Sequence, residues 1–598
     1  MSPTHSRRPA PRRVVVAALA AAATLATAGA LVAANPAQAG PDANSAPLKD
    51  LQLLAINDFH GNLEPPAGSS GRVTELQADG TTKDIDAGGV EYLASGLRTA
   101  RKGHDRSLTV AAGDIVGASP LLSGLFHDEP TVEAMNKLGL DVTGVGNHEF
   151  DEGKDELLRL QNGGCHPVDG CYAKGRKFAG ADYPILSANV VNEKTGKPLL
   201  KPYVVQNVKG AKVGFIGVTL KGTPNVVTAA GVKGLKFLDE AETINKYTKE
   251  LQQQGIRAIV ALVHEGGYPM ASSAYNYDCD AGGNTGLSGP IVDIAKKVAP
   301  EVDALVTGHT HNAYVCSIPD PAGHPRLVTS AASYGRLFTE LNMKYDPRTD
   351  DIVRATVKGS NRVVDRTQSK AADLTQLLDY WQTLAAPVAN KPVGYITKDV
   401  TRSGAVESPL GDLIADAQLA HAKSLDSRAV VALMNPGGIR ADLVYAASGK
   451  EGDGVVTFGE GFAVQPFSNT VNLKNLTGAQ LVTVLKQQVS GSNAAAPKYL
   501  QISSSLTYTL DLTKTGADRV VEDSIRVDGK PVDPNATYRV AMNSFLADGG
   551  DGFTEFAKGT DQLVGSDDLA ALVDYLTANT SAAAPYTPTA ANRVTVVK

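Results

Sequence analysis

Five apolar runs in the first half of the chain end alike. Residues 51–56 lead into Asn57-Asp58-Phe59-His60, residues 108–112 into Gly113-Asp114, and residues 142–145 into Gly146-Asn147-His148-Glu149-Phe150-Asp151. Residues 256–263 lead into His264-Glu265, and residues 303–307 into Gly308-His309-Thr310-His311. Short apolar runs bounded by glycine and polar residues predict buried strands, and open α/β sheets present their ligands at the carboxyl ends of such strands. The pattern therefore predicts adjacent strands of one sheet emptying into one site. Helical patterns at 88–102, 129–138, 239–254 and 288–298 alternate with the runs, so residues 51 to about 360 predict a layered α/β domain. Two stretches rich in Gly, Asn, Asp and Tyr, 165–178 and 268–289, interrupt the alternation and predict surface loops beside the site. A helix over 371–384, carrying the single tryptophan Trp381, marks 366–390 as a linker. A second α/β unit then contains a helix at 410–423, a strand at 429–434 running into Asn435-Pro436-Gly437-Gly438-Ile439-Arg440, and a strand-rich region over 499–542.

Length and charge narrow the function. A chain of 598 residues exceeds one hydrophobic core and predicts at least two domains. Its net charge is −6; residues 1–39 hold four arginines and no acid, so without them the balance is 53 − 63 = −10. An acidic chain argues against general nucleic-acid binding, which needs a basic face, but it does not exclude a small phosphorylated substrate. The arginine-rich start, the apolar run 14–34 and Ala37-Gln38-Ala39 predict a secretory signal peptide over 1–39; an uncleaved anchor is the other reading of that run. The expectation is a protein without a membrane anchor after cleavage, secreted or associated with the cell wall, and a monomer or weak dimer. Cys165, Cys171, Cys279 and Cys316 fit an oxidising compartment. Of three possible pairings, Cys165–Cys171 and Cys279–Cys316 are favoured; a zinc-binding cysteine set lacks the paired CxxC spacing.

His60, His148, His264, His309 and His311 all stand at the predicted strand ends, in the company of Asp58, Asp114 and Asn147. Carboxylate, amide and imidazole donors suit divalent ions such as Zn, Mn, Co or Fe. These blocks, in this order, resemble the motif series of the calcineurin-like metallophosphoesterases. Together with the second half, the chain resembles the secreted 5′-nucleotidase family, which includes UDP-sugar hydrolases and 2′,3′-cyclic nucleotide phosphodiesterases. The resemblance implies an α/β protein of two domains: an N-terminal four-layered metallophosphoesterase sandwich over 40–365, a helical linker over 366–390, and a C-terminal α/β nucleotide-binding domain over 391–598. It implies two divalent metal ions, one held by Asp58, His60 and His311, the other by Asn147, His264 and His309, with Asp114 bridging. Two ions about 3.5–4 Å apart can activate a shared water, so the implied nucleophile is a metal-bound hydroxide. His148 matches the catalytic histidine and Asp151 its orienting partner.

In the second half, Asn435, Arg440, Gln465-Pro466-Phe467-Ser468-Asn469 and Asn543 to Gly552 resemble the nucleoside-binding segments of that family. Phe467 and Phe545 would stack on the base, Asp551 would hold the ribose, Asn435 the nucleoside and Arg440 the phosphate. One departure stands out. Close relatives carry a phosphate-binding arginine where this chain has Val406, with Arg402 four residues earlier. The implied activity is hydrolysis of nucleotides to nucleoside and phosphate. A 2′,3′-cyclic nucleotide phosphodiesterase or UDP-sugar diphosphatase on the same metal site is the alternative, and a nucleotide-binding or adhesion protein the alternative without catalysis.

Overall fold

In the strand Lys49–Ile56 the side chains alternate between two cores: Leu51, Leu53 and Ala55 face one way, Leu54 and Ile56 the other. That alternation, repeated in neighbouring strands, builds the first half of the molecule. The computed structural model describes residues 46–598 apart from 67, 173–175, 229, 271, 281–285 and 468, and these residues form one unit. The expected signal peptide lies outside the described residues.

Among the described residues, seven strands form one sheet. Its backbone order runs Asp351–Ile352, Leu337–Asp346, Lys49–Ile56, Ser107–Ala111, Val142–Gly144 and Ile185–Leu186, with Lys358–Val363 also paired to Leu337–Asp346. The last four of the ordered strands are parallel. A second sheet of six strands runs Ala313–Pro319, Pro325–Ala331, Ala304–Thr307, Ile259–His264, Ala211–Thr219 and Tyr203–Val208. Leu53, Val110 and Val142 of the first sheet share a buried core with Phe215, Val260 and Val306 of the second. Helices Val90–Ala100 and Glu129–Leu138 cover the outer face of the first sheet, and Glu240–Gln253 and Pro290–Lys297 that of the second. The result is a four-layered sandwich, as the resemblance implies. The five strand ends do not belong to one sheet, however: three come from the first and two from the second. The sheets can meet this closely because Gly144 and Gly217 lack side chains. A Cβ on Gly217 would stand 2.5 Å from Leu186 Cβ and 3.0 Å from Gly144 Cα.

The helix expected as a linker runs Ala372–Ala389, and its Leu374, Leu378 and Trp381 are buried in the core of the first half with Phe126 and Val132. The chain passes on to the strand Pro392–Tyr395 directly afterwards. In the second half the helix Pro409–Leu425 is capped by Ser408, whose hydroxyl accepts from Gly411 N at 3.0 Å. It packs on a mixed five-stranded sheet ordered Gln501–Ile502, Ala429–Met434, Thr537–Asn543, Thr470–Thr477 and Thr560–Asp567. Four further strands, including Leu506–Asp511 and Val520–Val527, form a separate sheet. Cys165 pairs with Cys171, and Cys279 with Cys316, which ties the 268–289 insertion to the strand Ala313–Pro319.

Candidate metal centre and the cavity beside it

The strand ends are strained where chemistry is expected. Asp58, His60, Asp114, His309 and His311 all adopt left-handed backbone conformations, with φ of 49°, 48°, 50°, 69° and 57°. Residues with side chains rarely adopt this region, and they persist there only when the surroundings over-determine them. Here the loops brace each other: Asp58 N donates to Gly113 O at 3.1 Å, His60 N to Asp114 O at 2.9 Å, and Tyr334 N to Asp58 O at 2.7 Å. The buried carboxylate of Glu149 accepts from Asp114 N at 3.0 Å, Ile115 N at 2.8 Å and Gly146 N at 2.5 Å, gathering two strand ends onto one side chain.

Two groups of donor atoms result. His60 Nε2 lies 3.1 Å from His311 Nε2, and Asp58 Oδ1 lies 3.3 Å from His311 Nε2. Asn147 Oδ1 lies 3.2 Å from His264 Nε2 and 3.0 Å from His309 Nδ1. Asp114 Oδ2 stands between the groups, 3.0 Å from His264 Nε2 and 3.6 Å from His60 Nε2. The other ring nitrogens settle the tautomers. His60 Nδ1 faces Gly117 O at 2.9 Å and His264 Nδ1 faces Ala112 O at 2.7 Å. A carbonyl only accepts, so Nδ1 carries the hydrogen and the Nε2 lone pair turns inward. Lone pairs then face lone pairs across about 3 Å, an arrangement that cations resolve. Burial holds the His60 imidazole well below its ordinary range and, with His264 nearby, that of His309 at about 3, the neutral form a ligand needs. His264 differs: against burial, the Asp114 and Asp58 carboxylates raise it to about 10, so its Nε2 shares a proton with Asp114 that metal binding would have to release. The donor set thus fits divalent metal, in the clusters Asp58–His60–His311 and Asp114–His264–His309.

His148 N donates to Asp114 Oδ1 at 2.8 Å, and its Nδ1 meets Asp151 Oδ2 at 2.8 Å. Against burial, the Asp151 and Asp114 carboxylates raise its pKa. A cavity of about 350 Å³ opens beside this ring. Its walls come from both halves: Asp114, Asn147, His148, Asp151, His309 and His311 from the first, and Asn435, Arg440, Phe467, Phe545 and Asp551 from the second. Asp58, His60 and His264 are buried beneath it. All fourteen residues singled out in the sequence therefore gather at one place.

Known proteins resemble this chain over both of its halves. Residues 51–313 match the calcineurin-like phosphoesterase family, and residues 388–558 match the 5′-nucleotidase C-terminal domain. The chain belongs to the calcineurin-like phosphoesterases with a 5′-nucleotidase C-terminal domain. It is 34% identical over 535 residues to Endonuclease YhcR of Bacillus subtilis, a match taking in 88% of this chain and 39% of that one. It is also 34% identical over 533 residues to Cell wall protein Lmo0130 of Listeria monocytogenes, over 85% of this chain and 64% of that one. The chain thus spans less than two thirds of the length of either relative. Among solved structures, a 5′-nucleotidase precursor from Thermus thermophilus superposes with a TM-score of 0.72 at 26% identity, over 92% of this chain and 99% of that one. No helix among the described residues is long and apolar enough to cross a membrane.

Against this family's pattern, the Val406 departure has a definite structural outcome. Val406 is buried in the core of the second half. Arg402 is not a wall of the cavity: its guanidinium donates to Ile439 O at 3.0 Å and to Ser70 Oγ at 2.9 Å, bridging the two halves. Arg440 is the guanidinium that faces the cavity; its Nε and one terminal nitrogen are buried without a protein partner, and its Cζ lies 5.7 Å from the Phe467 ring centroid. Sequence reasoning missed Glu149 as a brace, although it stands inside the quoted hexapeptide. It also missed Lys498 and Tyr268, which line the cavity without any motif to announce them, and gave no role to Asn543, which opens the nucleoside-binding-like segment and lines the cavity too.

Proposed function

We propose that the protein is a secreted phosphoesterase that hydrolyses nucleotides to nucleoside and phosphate at a pair of divalent ions. The observation that carries the reading is the shared cavity: a guanidinium with two unpartnered nitrogens and two aromatic rings from one half open onto the imidazole–carboxylate cluster of the other. Asp58, His60 and His311 would hold one ion, Asn147, His264 and His309 the second, with Asp114 between them. Such ions, when bound, acidify water and draw off phosphoryl charge.

The chain's own groups do the rest. Arg440 offers its free N–H donors to the phosphate oxygens, in the two-point fashion that suits a guanidinium. Asp151 holds the proton on Nδ1 of His148, so that Nε2 is the ring atom available to the leaving oxygen. Phe467 and Phe545 grip the base, and Asn435 and Asp551 meet the sugar. The Phe545 ring rests on Gly550, where a Cβ would come within 2.5 Å of it, so that glycine leaves the ring its place. Export is supported by the signal-like amino terminus and the two disulfides. The division into 40–365, a linker over 366–390 and 391–598 belongs to the same proposal, with the linker helix docked on the first domain.

The test is phosphate release from AMP, ATP, UDP-glucose, 2′,3′-cyclic AMP and a simple aryl phosphate, with Mn²⁺ or Zn²⁺ restored after chelation. Metal-dependent preference for AMP supports the reading. Preference for the cyclic nucleotide or UDP-glucose moves the assignment to the alternative esterases, and metal uptake with no turnover of any substrate leaves a binding protein.

A further inference from the structure

Lys498 stands on a loop between the short helical turn Gly491–Asn493 and the edge strand Gln501–Ile502. The loop is anchored on buried Gln488: Lys498 N donates to Gln488 O at 3.0 Å and Leu500 N to Gln488 Oε1 at 2.7 Å. The lysine side chain is one-third exposed, lines the cavity and forms an ion pair through Nζ with Asp551 Oδ1. The other oxygen, Oδ2, accepts from Asn435 Nδ2 at 2.9 Å. Asn435 is oriented in turn by Asn543, whose amide donates to Asn435 Oδ1 at 2.9 Å while its own oxygen accepts from Leu546 N at 2.9 Å. The Asp551 backbone, left-handed at φ 55°, is held by Asn493 Nδ2 donating to its carbonyl at 2.8 Å. The carboxylate therefore cannot turn. It presents remaining acceptor lone pairs beside an ammonium that has three donors and gives one of them to Asp551.

A fixed acceptor beside a fixed donor matches a hydroxyl, which is both. We propose that Lys498 is a specificity-determining residue of this site: with Asp551 it reads the sugar's vicinal hydroxyls, one accepting from the ammonium and one donating to the carboxylate. The inference rests on the nucleotide reading above and deepens it. A substrate lacking either hydroxyl leaves a desolvated donor or acceptor unpaired, and a site built to bond a hydroxyl rejects such an analogue far more strongly than a site that merely fits its shape. A lysine that only balanced the charge of Asp551 would lower the turnover of every substrate alike.

The experiment compares kcat/KM for AMP, 2′-deoxy-AMP, 3′-deoxy-AMP and an aryl phosphate in the metal-loaded wild type, Lys498→Met and Lys498→Arg. The wild type is expected to prefer AMP over either deoxynucleotide, and Lys498→Met to shrink that preference about tenfold or more, mainly by loss on AMP. Lys498→Arg, which keeps a donor beside the carboxylate, is expected to restore part of the preference. Calorimetric binding of adenosine and 2′-deoxyadenosine to the wild type gives the same discrimination without catalysis and holds should Lys498→Met fold poorly. Equal losses on all four substrates, or an unchanged ratio in Lys498→Met, overturn the role of Lys498 while leaving the nucleotide reading intact. A wild type that turns over aryl phosphate but no nucleotide overturns the nucleotide reading itself.

Discussion

His148 stacks on Phe467, with ring centroids 5.6 Å apart and planes inclined by 26°. One ring belongs to the phosphoesterase half and the other to the 5′-nucleotidase half, so the aromatic wall of the cavity touches the imidazole beside the metal-donor cluster. On the proposed reading, a base held at Phe467 places its own phosphate within a few bonds of His148. Phe467→Ala should therefore raise KM for nucleotides by about tenfold or more, in line with about 1–3 kcal/mol for a base–aromatic stack. Turnover of a simple aryl phosphate should change much less. Steady-state kinetics on the two substrates make the comparison, and equal losses would return Phe467 to the status of a packing residue.

The His148–Asp151 pair carries a different signature. Nδ1 of His148 meets Asp151 Oδ2 at 2.8 Å, and the same oxygen accepts from Ala118 N at 3.2 Å, so the carboxylate is fixed and fixes the ring. Removal of a positioned acid–base group typically costs about 10²–10⁴-fold in rate. His148→Ala should lower kcat in that range while the purified protein keeps its metal, and Asp151→Asn should lower it less. Metal analysis beside kinetics checks the prediction; metal lost in step with activity would make His148 a ligand instead.

Much of this site was legible in the chain because each donor follows an apolar run, and the end of a strand is where a side chain escapes the core. The assignment of those runs to a single sheet was not, since periodicity records burial on both faces but not which sheet a strand joins. Close contact of the sheets at Gly144 and Gly217 lets two sheets deliver ligands to one point. The Ala372–Ala389 helix was legible as a helix, but its apolar positions, Leu374, Leu378 and Trp381, carry no sign in the sequence of which core they fill. Lys498 was illegible for another reason: a single lysine in an alanine- and proline-containing loop gains meaning only from Asp551, 53 residues away.

Glu149 shows what a brace contributes. Its carboxylate accepts from the backbone of Asp114, Ile115 and Gly146 and so holds Asp114 at φ 50°. Groups that orient metal ligands typically change affinity about 10–100-fold when removed. Glu149→Ala should weaken metal binding by that order while leaving the global fold in place, measured by competition with a chromophoric chelator. Unaltered affinity would show that the strained loop is held by its other backbone contacts alone.

The last prediction concerns pH and lies outside the cavity. His127 Nδ1 meets Glu152 Oε2 at 2.5 Å, its Nε2 meets Asp169 Oδ2 at 2.8 Å, and its ring stacks on His166 at 3.7 Å. Burial would lower its pKa, but hydrogen bonds to Glu152 and Asp169, with further charge from Glu152 and Glu156, raise it to about 9. The unfolded reference is 6.5. A group whose folded value lies above its unfolded one stabilises fully below the unfolded value, and that contribution is lost as pH climbs through the folded value. The imidazolium thus clamps the Cys165–Cys171 loop, which carries His166 and Asp169, to the segment bearing Glu152. The thermal midpoint of His127→Asn should fall below that of the wild type at about pH 6, and the gap should close between about pH 7 and 10. Differencing the two proteins cancels the lysines and tyrosines that titrate in both. A gap that stays constant across this range would mean that His127 holds its partners by packing and neutral hydrogen bonds, without the charge.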